Sequence, residues 1–292
     1  MAITADEFKA IANEVLRKNP NRTDKEQERT WDEYFGTSSV VAAELWNNIN
    51  PTITVDPKSK PKHLLWALLF LKQYATESVH CSIVGIQDQK TFRLWSWRFV
   101  RAIANLKPRY IVWTNRFINW DMRSKCLISI DGTDCSVYEP WPFDRTMFSH
   151  KFNGPGYKYE IGVCIKADFI VWVHGPENCG VSDLTTFRQG LSHHLCDNEA
   201  VECDMYYKGD HRLKNPKVHQ GADYKKKKGR VCARQEVVNS RLKTFAVLSN
   251  TFRHKLADHQ ACKLMMRDFY EMPMGIFPTF ATSSGAILSS LA

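Results

Sequence analysis

The polar and apolar pattern changes period once, near residue 125. Before it, the spacing is helical. Residues 1–36 are polar and predict helices, and turn-rich breaks fall at 19–28 and 50–62. "PKHLLWALLFLKQYA" predicts one helix and "ESVHCSIVGI" a shorter one. After a turn at "QDQ", "KTFRLWSWRFVRAIANL" predicts an amphipathic helix. Its apolar stripe is Phe92, Trp95, Phe99 and Ile103; Arg93, Trp97 and Arg101 share another face. A short helix, a turn and a basic helix fit a DNA-reading helix-turn-helix or an ordinary helical bundle with surface arginines.

After residue 125 the pattern predicts strands: "KCLISID", "SVYE", "KYEIGVCIKA" and "FIVWVHG", with a tight link at 167–168 between the last two. "SDLTTFRQGLSHHL" predicts a helix capped by Ser182 or Asp183, with Leu184, Phe187, Leu191 and Leu195 as its stripe. "AVEC" predicts a short strand ending at Asp204. A basic loop, a long helix "RVCARQEVVNSRLKTFAVLSNTFRH" and a last helix "DHQACKLMMRDFYEM" follow. Hairpin strands, then a helical crossover to a later strand, predict an α/β fold on a mixed sheet flanked by helices. An all-α region, 1–120, precedes it, and the sheet domain covers 121–292.

Composition changes the picture in three places. The 43% hydrophobic content of 292 residues excludes a disordered chain. The longest apolar run, "LLWALLFL", is too short to span a bilayer, and no basic-then-apolar secretory leader opens the sequence. Nine cysteines at irregular spacing, with no CxxC, read as reduced thiols of an intracellular protein. The net charge of +9 is local: residues 208–230 hold nine Lys or Arg against two Asp, a net +7. Such a segment suits an anionic partner.

The candidate chemistry lies in the acids. Asp131 ends the first predicted strand and Asp204 the one after the crossover. If those strands are neighbours, both carboxylates leave the same sheet edge. Glu236 lies on the long helix, whose predicted stripe is Val231, Val238, Leu242 and Phe245. Glu236 points nearly opposite that stripe, beside Asn239, Ser240 and Lys243, so a solvated glutamate and a ligand reachable by DNA are both open. Three carboxylates held together need cations, and Mg²⁺ accepts carboxylates, waters and phosphate oxygens. The basic segment lies between Asp204 and Glu236 and would hold a polyanion beside them. "HHLCDNEAVEC" brings His193, His194, Cys196 and Cys203 together, but at no common zinc-finger spacing.

The ordered blocks "ISIDGTDCSVYEP", "FSHKFNGPGYKYEIGVCI", "GVSDLTTFRQGL", "CDMYYKG" and "ARQEVVNSRLKTF" resemble those of the DDE-type transposases, in particular the PIF/Harbinger-like group of DDE superfamily endonucleases. The likeness covers roughly 125–250. It implies an RNase H-like fold and a metal-dependent endonuclease that cleaves and transfers DNA strands. The implied catalytic and metal-binding triad is Asp131, Asp204 and Glu236, holding two Mg²⁺ or Mn²⁺ ions. Asp204 and Glu236 are separated by 31 residues, close to the family's spacing. Ser149 and Lys151 match its "SxK" block, and Asp183 the acid at a helix start, read here as a cap. The sequence departs at Met205-Tyr206, where the family has Gly before Tyr207. Candidate DNA contacts are Arg93, Arg101, Lys151, Lys225, Lys226, Lys227, Lys228, Arg230 and Lys243. Asp134 reads as a turn residue. The resemblance further implies DNA as partner, a homo-oligomer, a separate Myb-like DNA-binding protein and, in a eukaryote, the nucleus. A domesticated relative that binds DNA without cutting it is the alternative.

Overall fold

A computed structural model describes residues 2–120, 124–167, 169–215 and 222–265, except for the side chains of 222–227, 264 and 265. Eight helices come first: α1 (Ala5–Leu16), α2 (Asp24–Phe35), α3 (Ser39–Ile49), α4 (Pro51–Thr54), α5 (Pro61–Gln73), α6 (Glu77–Val84), α7 (Gln89–Ala104) and α8 (Lys107–Tyr110). Side chains set several starts. Thr4 and Thr23 each form a reciprocal capping box with the glutamate three residues on, and Asp88 caps α7. α5 is the hub. Leu64 to Leu71 are all buried, as expected of a helix apolar on every side. On α7, Phe92, Phe99 and Ile103 are buried as expected, but Trp97 replaces Trp95 in the core. Trp95 stays half-buried, stacked on His63 with centroids 3.9 Å apart.

The second half is an α/β layer. Its strands are β1 (Cys126–Ser136), β2 (Phe148–Ser149), β3 (Gly154–Cys164), β4 (Ile170–Asn178), β5 (Ala200–Glu202) and β6 (Leu213–Lys214). The helices α9 (Asp183–Gln189), α10 (Ala222–Leu242), α11 (Ala246–Ser249) and α12 (Leu256–Met265) accompany them. The sheet is mixed. β4 pairs β3 and β3 pairs β1, both antiparallel; β5 runs parallel to β1 and β6 parallel to β5, with β2 on the end of β3.

Several expected boundaries shift. "KCLISID" and "SVYE" are not two strands: β1 runs unbroken through Gly132, Thr133 and Asp134, all hydrogen-bonded in register to β3. The helix expected over 182–195 stops at Gly190, and a 3-10 turn follows. Its four leucine and phenylalanine positions do pack together on the sheet. The basic segment is only partly a loop, because residues 222–230 begin α10. α10 ends at Leu242, well before the expected 254. Asp168 and the expected helix beyond 265 lie outside the described residues.

Two apolar layers sandwich the sheet. One, with α9, gathers Ile128, Ile130, Val171, Phe187 and Val201. The other joins Tyr159, Ile161 and Val163 to α11 and to the N-terminal helices through Phe245, Leu248 and Phe252. The division after residue 120 is thus one of chain order, because the core is continuous across it. No helix among the described residues is long and apolar enough to cross a membrane.

α10 docks by polar contacts. Ser129 Oγ donates to Gln235 Oε1 at 3.0 Å, and Gln235 Nε2 donates to the Ile161 carbonyl at 3.1 Å. Arg234 donates to the Cys164 and Ile165 carbonyls, and Lys228 pairs with Glu202 at 2.9 Å. Gln235→Ala leaves two buried groups unpaired and should cost about 1–3 kcal/mol in urea unfolding. Ser129→Ala with Gln235→Leu together should cost less than Gln235→Ala alone.

Candidate functional site

Alternation along β1 decides which side chains meet α10. Ser129 and Asp131 face that helix, while Ile128 and Ile130 face α9. Asp131 therefore sits in mid-strand, opposite Ile161, and does not end the strand as the sequence suggested. On its other side β5 runs parallel, with Ser129 opposite Glu202. Asp204 follows two residues later, past the end of β5, near enough for its charge to act on Asp131. The expected juxtaposition of the two strands is present.

Asp131 is gripped from two sides. Asn239 Nδ2 donates to Oδ2 at 2.6 Å, and the Gly132 backbone N–H donates to Oδ1 at 2.8 Å. Burial pushes its carboxyl up to about 6; Lys151 opposes this rise, and the Asp204 and Asp183 charges add to it. Asp204 is half-buried, and its Oδ1 accepts from the Tyr206 N–H at 2.9 Å, which fixes the turn after β5.

A second group of charges lies on the opposite face of β1. Lys158 Nζ donates to Asp183 Oδ1 at 2.8 Å and to the Val181 carbonyl. Ser182, not Asp183, caps α9, by accepting from the Thr185 N–H at 3.1 Å. Gly132 makes room: a Cβ there would lie 3.1 Å from Asp183 Oδ1. Asp134 is no turn residue. It is buried, accepts from Ser149 Oγ at 2.5 Å and lies 3.7 Å from Lys151 Nζ. Lys151 Nζ also donates to the Gly132 carbonyl at 2.9 Å, so the "SxK" pair is anchored on β1 beside Asp131. Deeper still, Glu160 is fully buried and its carboxyl is pushed up to about 8 by desolvation. Trp172 Nε1 donates to its Oε1 at 3.0 Å. Its Oε2 and the neighbouring Tyr207 hydroxyl each lack a well-formed hydrogen bond.

Glu236 stands apart from these acids. It is exposed, and the charges acting most strongly on Asp131 are Lys151, Asp204 and Asp183. The expected stripe placed Glu236 opposite the buried face. In fact Lys228, Gln235 and Leu242 are that face, with Val231 and Val238 only half-buried, so Glu236 lies about 100° from it. The Cys232 thiol, one turn before, feels both Glu236 and Asp131. Glu236 thus flanks the site. Among the described residues no three His, Cys, Asp or Glu side chains converge to hold a metal. The pair Asp131 and Asp204 fits a single hard cation that keeps most of its waters.

The candidate DNA contacts divide. Lys151, Arg230 and Lys243 are exposed. Lys228 is buried, paired with Glu202 and bonded to the Lys214 carbonyl, so it serves the fold. Lys225, Lys226 and Lys227 fall in the first turns of α10, and their side chains lie outside the described residues. Arg93 pairs with Glu77 of α6, and Arg101 pairs with Asp258 of α12 at 3.0 Å. Both arginines are engaged in holding α7. In the His/Cys cluster, Cys203 is buried in the α9 layer, and Cys196 accepts from Arg116, itself buried against Glu199 at 3.0 Å.

Sequence pattern alone passed over Asn239, the Lys158–Asp183 pair and Glu160. A signal was present: Lys228, Gln235 and Leu242 recur every seven residues, and Asn239 follows Gln235 by one turn. No protein family, curated protein or solved structure matches the chain.

Asp131 titrates higher folded than the ordinary carboxylate range, so the folded state holds its proton longer. In metal-free buffer this term costs nothing below about pH 4, grows as pH rises, and is complete above about pH 6.5. Asp131→Asn should therefore stabilise the protein by roughly 3 kcal/mol at pH 8 and have little effect at pH 4, read by urea unfolding at both pH values.

Proposed function

We propose that this chain is a divalent-metal-dependent DNA endonuclease of the DDE transposase type, with Asp131 and Asp204 at its centre. One observation carries the reading: ionisation of the Asp131 carboxyl, in mid-β1, is opposed by burial and by the charge of Asp204, two residues past the end of the parallel neighbour β5. A cation relieves both costs. The order of strands supports an RNase H-like sheet: three antiparallel strands, then two parallel to the first.

Asp131 and Asp204 would hold Mg²⁺ or Mn²⁺, which supplies Lewis-acid activation of water or a 3′-hydroxyl for in-line attack on the phosphodiester. The chain's own residues do the rest. Asn239 and the Gly132 N–H hold the Asp131 carboxylate in one orientation. Lys151, anchored on the Gly132 carbonyl, offers a cation to the phosphate. Lys158 neutralises Asp183, which limits the repulsion beneath the site. Arg230 and Lys243 are exposed along α10 for the DNA backbone. Glu236 would complete a second ion's shell only by reaching in from the flank. On this reading the partner is DNA, engaged by a homo-oligomer with a separate Myb-like DNA-binding protein, in the nucleus of a eukaryote.

The position of Glu236 favours a second reading, a relative that binds DNA without cutting it. Nicking of supercoiled plasmid with Mg²⁺ or Mn²⁺ separates the two. Asp131→Asn and Asp204→Asn should each lower the rate at least about a hundredfold, a loss of about 3 kcal/mol of transition-state stabilisation. Glu236→Gln should lower it too if the second ion forms. Nicking that survives both aspartate substitutions rejects the site, and binding without nicking by the unaltered chain selects the second reading.

A further inference from the structure

Glu160 is a buried acid that the chemistry above leaves unused. It sits in mid-β3, opposite Gly132 of β1 and His174 of β4, with no exposed surface. Burying an acid is costly unless its hydrogen bonds are met. Trp172 Nε1 donates to its Oε1 at 3.0 Å. The lysine on its own strand and face, Lys158, is taken by Asp183 at 2.8 Å. Desolvation pushes the Glu160 carboxyl up to about 8; the Trp172 and Tyr207 side chains oppose the rise, and the charge of Asp183 adds to it.

Two buried polar atoms remain over, Glu160 Oε2 and the Tyr207 hydroxyl, and neither makes a well-formed hydrogen bond elsewhere among the described residues. They are neighbours. The hydroxyl acts on Glu160 as a hydrogen-bonding group, and Glu160 heads the charges that act on the hydroxyl. A protonated carboxyl and a phenol each donate and accept, so the two satisfy each other with either as donor. Tyr207 also ties Glu160 to the candidate metal site. It is the third residue after Asp204, on the turn that the Asp204–Tyr206 bond fixes at 2.9 Å. Met205 and Tyr206 are exposed, so the side chain that roots this turn in the α9 layer is Tyr207. The charges of Asp131 and Asp204 both reach its hydroxyl.

We propose that Glu160 is a positioning residue for the candidate metal pair, holding the Tyr207 hydroxyl and through it the turn that carries Asp204. This role rests on the reading of Asp131 and Asp204 as metal ligands, but its test does not depend on cleavage. Mn²⁺ affinity of the full chain is measured at pH 7 by electron paramagnetic resonance of the free ion, well below the melting temperature of each variant. Asp204→Asn removes a ligand and should weaken binding at least about tenfold. Tyr207→Phe and Glu160→Leu should each weaken it about tenfold, as loss of a group that orients a ligand does, and the double variant no further than either alone. Glu160→Gln still donates and accepts, so it should stay within about twofold of the unaltered chain. If Glu160→Leu fails to fold, Tyr207→Phe and Glu160→Gln carry the test.

A lowered melting temperature with unchanged Mn²⁺ affinity in Tyr207→Phe makes the pair a core contact only and overturns the role. Additive losses in the double variant, or a tenfold loss in Glu160→Gln, overturn it as well. A loss in Asp204→Asn with none in Tyr207→Phe rejects the role and leaves the metal pair standing. Mn²⁺ affinity unchanged in Asp204→Asn rejects the metal pair itself, and the role of Glu160 with it.

Discussion

The structure depends on one helix laid across the sheet by polar side chains. α10 meets β1, β3 and β5 through Gln235, Arg234, Lys228 and Asn239, with Leu242 as its buried apolar anchor. Polar docking is directional. An apolar stripe tolerates sliding of a residue's width, whereas Gln235 must reach a hydroxyl on one strand and a carbonyl on the next. That constraint sets the rotation of α10, and the rotation decides which side chain stands over Asp131.

The same constraint organises the charges. Burial opposes ionisation of Asp131, and Asp204 and Asp183 oppose it further. The fold answers each acid separately. Asn239 and a backbone N–H serve Asp131, Lys158 serves Asp183, Lys228 serves Glu202, and Ser149 serves Asp134. Glu160, with no cation in contact, is pushed up to about 8 and is therefore mostly protonated at neutral pH. Among the described residues no ion pair forms with Asp131, whose ionisation the charge of Asp204 opposes and that of Lys151 favours.

Much of this was legible in the sequence. The change of period near 125, the packing of Leu184, Phe187, Leu191 and Leu195 on the sheet, and the pairing of β1 with β5 all follow from alternation and crossover logic. Failures occurred where polar contacts override apolar pattern. "IDGTDCS" reads as a turn because Gly, Thr and Asp favour turns, yet Asp134 and Thr133 are buried in the ladder, and Ser149 satisfies Asp134 from outside β1. The stripe Val231, Val238, Leu242 and Phe245 misplaced the buried face of α10, since valine was assumed to outrank glutamine and lysine. Lys228 read as a DNA contact for the same reason: its partner, Glu202, is 26 residues away in sequence.

The rotation of α10 also bears on Glu236. Asn239 lies three residues on, about 60° around the helix in the opposite sense, and it is Asn239 that touches Asp131. Turning α10 by that angle would bring Glu236 over the site. It would also detach Gln235 from Ser129 and Ile161, Arg234 from two carbonyls, and Lys228 from Glu202, leaving several buried polar groups unpaired at about 1–3 kcal/mol each. Rotation is thus the costly route. Glu236 has a longer side chain than Asn239, so on the proposed reading a movement of that side chain toward a cation would leave the docking intact. Such recruitment would belong to the side chain, not to the helix.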